Sequence, residues 1–171
     1  TPKELFNFIS SIREIGGPKV TRRLQEYVDS LNVVEYYDRL ISTLSRGNKQ
    51  KIQIIASLLH KPKLLIMDEP LAGLDAKSVR VVKEILEIHT QRGGSVLFST
   101  HIMEIAEEIC DRIGIINQGK LVAEGTIEEL RARAAMIGDD IDLEDIFLKL
   151  TEQDESVNNI IEKLRTSLNE D

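Results

Sequence analysis

Two adjacent acidic residues, Asp68 and Glu69, are the first candidates for chemistry in this sequence. They directly follow the apolar run 64–67, and Pro70 comes immediately after them. A short apolar run bounded by turn-forming residues predicts a central strand that is covered on both faces. Open α/β sheets bind their ligands at the carboxyl ends of their strands, so the two carboxylates are candidates for contact with a ligand. The alternative is a strand end whose acidic side chains are only solvated.

The segment 44–51 is a second candidate, because Ser45 and Gly47 stand just before an apolar helical stripe. Serine is a favourable N-cap, and a glycine in the first turn would allow a ligand to approach the backbone closely. The unpaired N–H groups and the dipole of a helix N-terminus attract anions. An ordinary helix cap explains the same pattern without any ligand.

Three histidines and one cysteine are the remaining residues with reactive side chains. His101 follows the end of a predicted buried strand, residues 95–99, where a histidine bonded only to backbone is the alternative interpretation. His60 and His89 have no such setting and are interpreted as structural. Cys110, interpreted as a small apolar residue on a helix, excludes an internal disulfide because it is the single cysteine.

The elements that must position these residues fall into two groups. Residues 1–44 contain only helical patterns: Thr1 to Glu4 predicts a capping box, an apolar stripe follows, and Gly16-Gly17-Pro18 ends that helix. The members of that stripe are Leu5, Phe8, Ile9 and Ile12. From residue 63 onward strands alternate with helices, which predicts a mostly parallel α/β sheet.

The C-terminal part is predicted to contain two strands followed by helices. Residues 113–117 form a third predicted strand, which Gln118-Gly119 turns into a strand at 120–123. Thr126 and Asp142 are predicted caps of two further helices. Ser156 leads into a last amphipathic segment, with apolar residues at Val157, Ile160, Ile161, Leu164 and Leu168. We therefore divide the chain into a helical subdomain at 1–60, a core at 61–135 and a helical extension at 136–171.

Composition limits the classes of function. The chain has 171 residues, of which 42% are hydrophobic and 30% charged, as in ordinary soluble domains. Its net charge of −7 argues against nucleic acid or an anionic membrane as the main partner. No apolar run approaches the roughly 20 residues needed to cross a bilayer, so a membrane association would require a partner.

The ordered set of motifs resembles the ATP-binding domain of ATP-binding cassette (ABC) transporters. Residues 44–50, Leu-Ser-Arg-Gly-Asn-Lys-Gln, resemble the family's signature motif, and residues 64–69 resemble its Walker B strand. Leu74-Asp75 is similar to the D-loop, and His101 is similar to the switch histidine. The resemblance implies a P-loop NTPase-like α/β fold, here incomplete. Residues 142–151 resemble a subgroup that often serves drug, ion or polysaccharide exporters.

The resemblance also implies roles for the acidic pair and the histidine. Asp68 would hold Mg²⁺ through water, since Mg²⁺ keeps much of its hydration shell. Glu69 would be the general base beside the γ-phosphate of ATP. His101 would contact that phosphate and maintain the geometry of attack.

By the same resemblance, the signature residues would serve a second subunit. Ser45, Arg46, Gly47 and Asn48 would bind the γ-phosphate of ATP held by the other ATP-binding domain of a head-to-tail dimer. Asp75 would lie at the dimer seam and link the two sites. Arg46 and Asn48 depart from the residues that many members carry there, which are Gly and Gln or Met, and Arg46 adds a cation near the phosphate.

The phosphate-cradling Walker A pattern, Gly-x-x-x-x-Gly-Lys-Ser/Thr, does not occur in the sequence. The segment 114–121 approaches it in outline, but Leu121 replaces the magnesium-binding hydroxyl and the segment predicts strand–turn–strand. We interpret the chain as the C-terminal part of a longer domain, and expect it to be inactive alone. Without the preceding strands, the sheet around Ile66 should expose an edge or an apolar face.

The function that these features predict is ATP binding and hydrolysis for an ABC transporter. The expected partners are a transmembrane permease and a second ATP-binding domain, and the expected location is the cytoplasmic face of the cell membrane. One alternative is an ABC ATPase that acts in translation or DNA repair, although such relatives usually carry tandem cassettes or long coiled coils. Another is a dimerisation or regulatory module without turnover.

Overall fold

A computed structural model describes residues 1–134, 141–151, 159–161, 163–165 and 167. The chain forms two compact units, Thr1–Thr100 and His101–Asp171. The predicted boundaries at residues 60 and 135 remain predictions about domain organisation. Part of the last amphipathic segment, including Ser156, Val157 and Leu168, lies outside the described residues.

The first unit contains four helices and one pair of strands among its described residues. In chain order these are α1 (Pro2–Ile12), α2 (Pro18–Ser30), α3 (Arg46–Leu58), β1 (Leu64–Asp68), α4 (Ala76–Gln91) and β2 (Ser95–Ser99). Two 3-10 turns, Val34–Tyr36 and Ile41–Thr43, connect α2 to α3. The core is centred on α3, whose Ile52, Ile54, Ile55 and Leu58 are almost fully buried.

The N-terminal helix begins where the sequence predicts. The Thr1 hydroxyl accepts from the Glu4 backbone, and the reciprocal bond of the capping box is present. The buried residue on its apolar side is Phe6, whose ring centroid lies 6.1 Å from that of Tyr37. Phe8 and Ile12 of the predicted stripe are 61% and 62% exposed. The buried side of the helix is therefore centred on Phe6 and not on the predicted stripe.

The strands β1 and β2 are parallel, as the alternation of strands and helices predicts, with Ile66 paired to Leu97 and Asp68 to Ser99. The prediction that both faces of β1 are covered is wrong. Leu65 is buried, but Ile66 is 68% exposed and Leu97 is 60% exposed. Successive side chains of a strand point to opposite faces, and α4 packs against β2. The predicted exposure of an apolar sheet face is therefore confirmed.

The second unit contains an antiparallel hairpin and short helices. Its described elements are α5 (Met103–Ile109), β3 (Ile113–Asn117), β4 (Lys120–Gly125), α6 (Ile127–Arg133) and α7 (Leu143–Leu150). Residues 159–161, 163–165 and 167 are also helical. The predicted caps Thr126 and Asp142 are confirmed, since each accepts a hydrogen bond from the backbone three residues later.

The hairpin settles the conformation of segment 114–121. β3 and β4 pair antiparallel, and Gln118 and Gly119 adopt positive φ angles of 49° and 73° at the turn. Two consecutive positive φ values are typical of a tight two-residue hairpin turn. The predicted strand–turn–strand is confirmed, and it differs from the strand–loop–helix that a phosphate loop requires.

Candidate functional site

Asp68 and Glu69 lie at the carboxyl end of β1, where the sequence places them. Asp68 is exposed, and the Ser99 hydroxyl donates to its Oδ1 from the neighbouring strand. The backbone N–H of Glu69 donates to the carbonyl oxygen of Ser99 at 3.1 Å, which extends the pairing of the two strands by one residue. The carboxylate of Asp68 is thereby held at the carboxyl ends of the two strands.

Glu69 has an unusual backbone. Its φ is +45°, in the left-handed region, which costs a residue with a side chain about 1–2 kcal/mol. The Thr100 hydroxyl lies 3.4 Å from its Oε2, at the outer limit of a hydrogen bond, and the side chain is partly buried. The turn at Glu69 directs the chain away from the strand and into the loop 70–75.

The loop 70–75 packs against the first turns of α3. Gln50 Nε2 donates to the carbonyl oxygen of Pro70 at 3.1 Å. A Cβ atom on Gly47 would lie 2.6 Å from the carbonyl oxygen of Gly73, so only glycine fits there. The side-chain carbons of Arg46 lie 3.6–3.7 Å from the corresponding Cβ position on Gly73. The close approach expected at Gly47 is therefore made, within this unit, by the protein's own backbone.

The N-terminus of α3 has the predicted cap. Ser45 has extended backbone angles, and its hydroxyl accepts from the backbone N–H of Asn48 at 3.3 Å. Ser45 and Arg46 are exposed, whereas Gly47 and Asn48 are partly buried. This end of the helix combines oriented N–H groups with the guanidinium of Arg46, a favourable electrostatic setting for an anion.

Asp75 joins α3 to α4. Its Oδ1 accepts from the backbone N–H of Ser78 at 2.9 Å, which caps α4, and its Oδ2 accepts from the Ser78 hydroxyl at 2.7 Å. Lys51 Nζ lies 3.2 Å from the same Oδ2. The hydrogen bonds from Ser78, together with the bond and charge of Lys51, hold the pKa of Asp75 far below its usual value. Asp75 is thus a carboxylate at any physiological pH.

Lys51 and Ser78 were not among the candidate residues from the sequence. Ser78 stands three residues after Asp75, the spacing of a capped first turn, so its role was open to prediction. Lys51 is a lysine on the apolar side of α3 and is 8% exposed. Charged residues are rarely buried without a partner. A lysine on the apolar side of this helix was therefore the sequence signal for a buried ion pair.

His101 opens the second unit and is exposed. Its proposed contact with a phosphate remains a prediction. Among the described residues, no group of three or more His, Cys, Asp or Glu side chains is arranged to hold a metal ion. No helix in the described ranges is long and apolar enough to span a membrane.

The other histidines and the cysteine have the environments of packed residues. Burial, and secondarily the charge of Arg13, lowers the pKa of His60. The ring of His89 lies where a Cβ on Gly94 would be. Burial raises the pKa of the Cys110 thiol, which disfavours the reactive thiolate at neutral pH.

Comparisons with known proteins identify the proteins to which the chain is similar. A family model described as ABC transporter matches residues 2–72. The uncharacterized ABC transporter ATP-binding protein YhaQ of Bacillus subtilis is 36% identical over 124 residues, which is 72% of this chain and 42% of that protein. The linearmycin resistance ATP-binding protein LnrL of Bacillus subtilis is 41% identical over 112 residues, which is 66% of this chain and 36% of that protein.

A solved structure gives the same result for the fold. The chain is similar to a structure described as the ATP binding subunit of an ABC transporter, with a TM-score of 0.82 and 27% identity. The match covers 88% of this chain and 62% of that subunit. The matched segments span less than half the length of YhaQ and of LnrL.

Proposed function

The chain belongs to the family of ABC transporter ATP-binding proteins, and from this membership we propose that it contributes the magnesium-binding and water-activating carboxylates of a transport ATPase. The observation that carries the proposal is the geometry at the end of β1. There, Asp68 and Glu69 follow a parallel strand directly, and the loop after them is fastened to the N-terminus of α3.

The side-chain oxygens at the carboxyl ends of β1 and β2 are suitable ligands for a magnesium ion. Asp68 offers a carboxylate and Ser99 a hydroxyl beside it, and Mg²⁺ in nucleotide sites is bound by one or two carboxylates, water and phosphate oxygens. The ion would neutralise charge on the phosphates of ATP. Asp68 holds its position because it is bonded to Ser99 on the adjacent strand.

Glu69 would orient the attacking water and accept its proton. Its carboxylate follows Asp68 directly, and its left-handed backbone and the nearby Thr100 hydroxyl limit where the side chain can point. His101 would contact the γ-phosphate and maintain the angle of attack. Such positioning is the main contribution of a protein to phosphoryl transfer, in which little covalent chemistry is left to side chains.

The N-terminus of α3 would bind the γ-phosphate of ATP carried by a second ATP-binding domain. Ser45, Gly47 and Asn48 would supply hydroxyl, backbone and amide donors, and Arg46 a cation that many relatives lack. Asp75 would lie at the seam of this head-to-tail dimer. ATP binding would close the dimer and hydrolysis would reopen it, so that the cycle drives a transmembrane permease at the cytoplasmic face of the membrane.

The names of the relatives favour transport over the alternatives. LnrL is named for resistance to linearmycin, which accords with an exporter of drug-like, ionic or polysaccharide cargo. A translation or DNA-repair ATPase has no support among the relatives reported above. A module without turnover remains the alternative that an assay must exclude.

The test is Mg²⁺-dependent ATP hydrolysis by the natural gene product that contains these residues, measured beside the 171-residue chain. We expect the natural product to hydrolyse ATP only when Mg²⁺ is present. We expect little or no binding of Mg·ATP to the 171-residue chain up to millimolar concentration, because the Walker A pattern is absent from its sequence. Absence of ATP turnover by the natural gene product would contradict the proposed function. Micromolar binding of Mg·ATP by the 171-residue chain would indicate a phosphate site within it, for which residues 114–120 would be the first candidate.

A further inference from the structure

One face of α3 contacts the loop 70–75, which follows Glu69. Gly47, Gln50 and Lys51 have the spacing i, i+3, i+4, which places them together on a helix. Gly47 meets the carbonyl oxygen of Gly73, Gln50 donates to Pro70, and Lys51 bonds to Asp75. The loop 70–75 is therefore held at its start, middle and end by consecutive turns of one helix.

Lys51 is the charged member of this face, and it is the most deeply enclosed. Its side chain is 10% exposed, whereas that of Asp75 is 60% exposed. An ammonium group removed from water requires a charged or strongly polar partner. Among the described residues, the partner of the Lys51 ammonium is Asp75 Oδ2, which also accepts a hydrogen bond from the Ser78 hydroxyl.

We propose that Lys51 is a positioning residue for ATP hydrolysis, which acts through Asp75 to hold the loop 70–75 against α3. This inference rests on the proposed function. The loop connects Glu69, which would act on ATP bound to its own domain, with Asp75 at the seam, while α3 presents Ser45 and Gly47 to the opposite site. The bond from Lys51 to Asp75 fixes the separation of these two sets of residues. Both sites of the closed dimer then depend on one buried ammonium.

Among the described residues, two backbone hydrogen bonds close turns within the segment 69–74. Ala72 N–H donates to Glu69 O at 3.2 Å, and Leu74 N–H donates to Leu71 O at 3.4 Å. Both bonds lie within residues 69–74 and do not tie the loop to α3, which the loop contacts through Gly47, Gln50 and Lys51. Loss of the Lys51 contact should therefore free the loop while leaving α3 and β1 folded.

The test is Lys51→Met in the natural gene product, because methionine keeps the apolar stem and removes the ammonium. Lys19→Met is the control: it removes the same charge from an exposed position on α2, outside the segment 44–51. We expect kcat to fall at least tenfold in Lys51→Met with KM for ATP changed less than twofold. We also expect faster amide exchange at residues 72 and 74, by at least fivefold. Lys51→Arg, which keeps the charge, should recover at least half of the turnover.

Double substitution separates positioning from a general loss of stability. If Lys51 acts through Asp75, Lys51→Met combined with Asp75→Asn should be no slower than the worse single variant. Multiplied losses would overturn the inference, and so would turnover and loop exchange in Lys51→Met equal to those of Lys19→Met. If the unsubstituted protein hydrolyses no ATP, the proposed function fails first and the inference fails with it.

Discussion

Gly47 on α3 and Gly73 in the loop after β1 lie in direct backbone contact, with no room for a side chain at residue 47. The carbonyl oxygen of Gly73 would be 2.6 Å from a Cβ on Gly47. Alanine normally stabilises a helix relative to glycine by about 1 kcal/mol, so this position reverses the usual preference. The contact binds the helix that would meet one phosphate site to the loop that leads from Glu69.

Substitution of Gly47 tests that contact. We expect Gly47→Ala to lower the free energy of unfolding by about 1–3 kcal/mol, because backbone atoms must move apart to admit the methyl group. Gly16 is the matched control, since no atom lies within 4 Å of a Cβ built there. Gly16→Ala should be neutral or stabilising, and equal effects of the two substitutions in urea denaturation would contradict the contact.

The exposed sheet face predicts dye binding. Ile66 and Leu97 are cross-strand partners, and each is at least 60% exposed, so together they form an apolar patch. The 171-residue chain should bind a hydrophobic dye, and Ile66→Thr with Leu97→Thr should reduce its fluorescence by at least half. Threonine is β-branched, as strands favour, and is more polar than the residues it replaces.

A control for this experiment is Val34→Thr, which alters a valine that is 53% exposed in a 3-10 turn. It should leave the dye signal nearly unchanged. A signal that is equally insensitive to the substitutions at Ile66 and Leu97 would mean that the dye binds elsewhere on the chain.

His60 predicts a dependence of stability on pH. Its folded-state pKa is lowered by burial, and secondarily by Arg13, below the ordinary value of 6.5. The unfolded chain therefore binds the proton more readily, so this contribution to stability is complete above about pH 6.5 and is lost as the pH falls below it. The urea concentration at the midpoint of unfolding should decrease as the pH is lowered from 7 to 5.

Two variants identify the source of that fall. His60→Gln should flatten the pH dependence, because the group no longer titrates. Arg13→Gln should reduce it in part, because a neighbouring positive charge is removed. An unchanged slope in His60→Gln would assign the effect to another group.

Local signals in the sequence predicted the local structure well. The caps at Thr1, Ser45, Thr126 and Asp142 each follow from one polar side chain and the backbone three residues later. The hairpin followed from Gln118-Gly119 between two apolar runs. These features depend on interactions within a few residues, which is why a linear pattern contains them.

Contacts between distant residues were not predicted. Lys51 and Asp75 are 24 positions apart, and Gly47 meets Gly73 only because the loop folds back over α3. The positive φ of Glu69 has no sequence signal, since glutamate carries no preference for that conformation. The apolar run 64–67 predicted a strand covered on both faces, but the exposure of Ile66 depends on what packs against the sheet.

The central claim is that Glu69 activates the water that attacks ATP. The measurement is steady-state ATP hydrolysis by Glu69→Gln in the natural gene product, with Glu84→Gln on the exposed side of α4 as the control for loss of a carboxylate. Loss of a general base typically costs 10²–10⁴-fold, so turnover should fall at least about a hundredfold in Glu69→Gln. Mg·ATP binding should be retained, and Glu84→Gln should hydrolyse ATP normally. Turnover by Glu69→Gln at the unsubstituted rate would contradict the account.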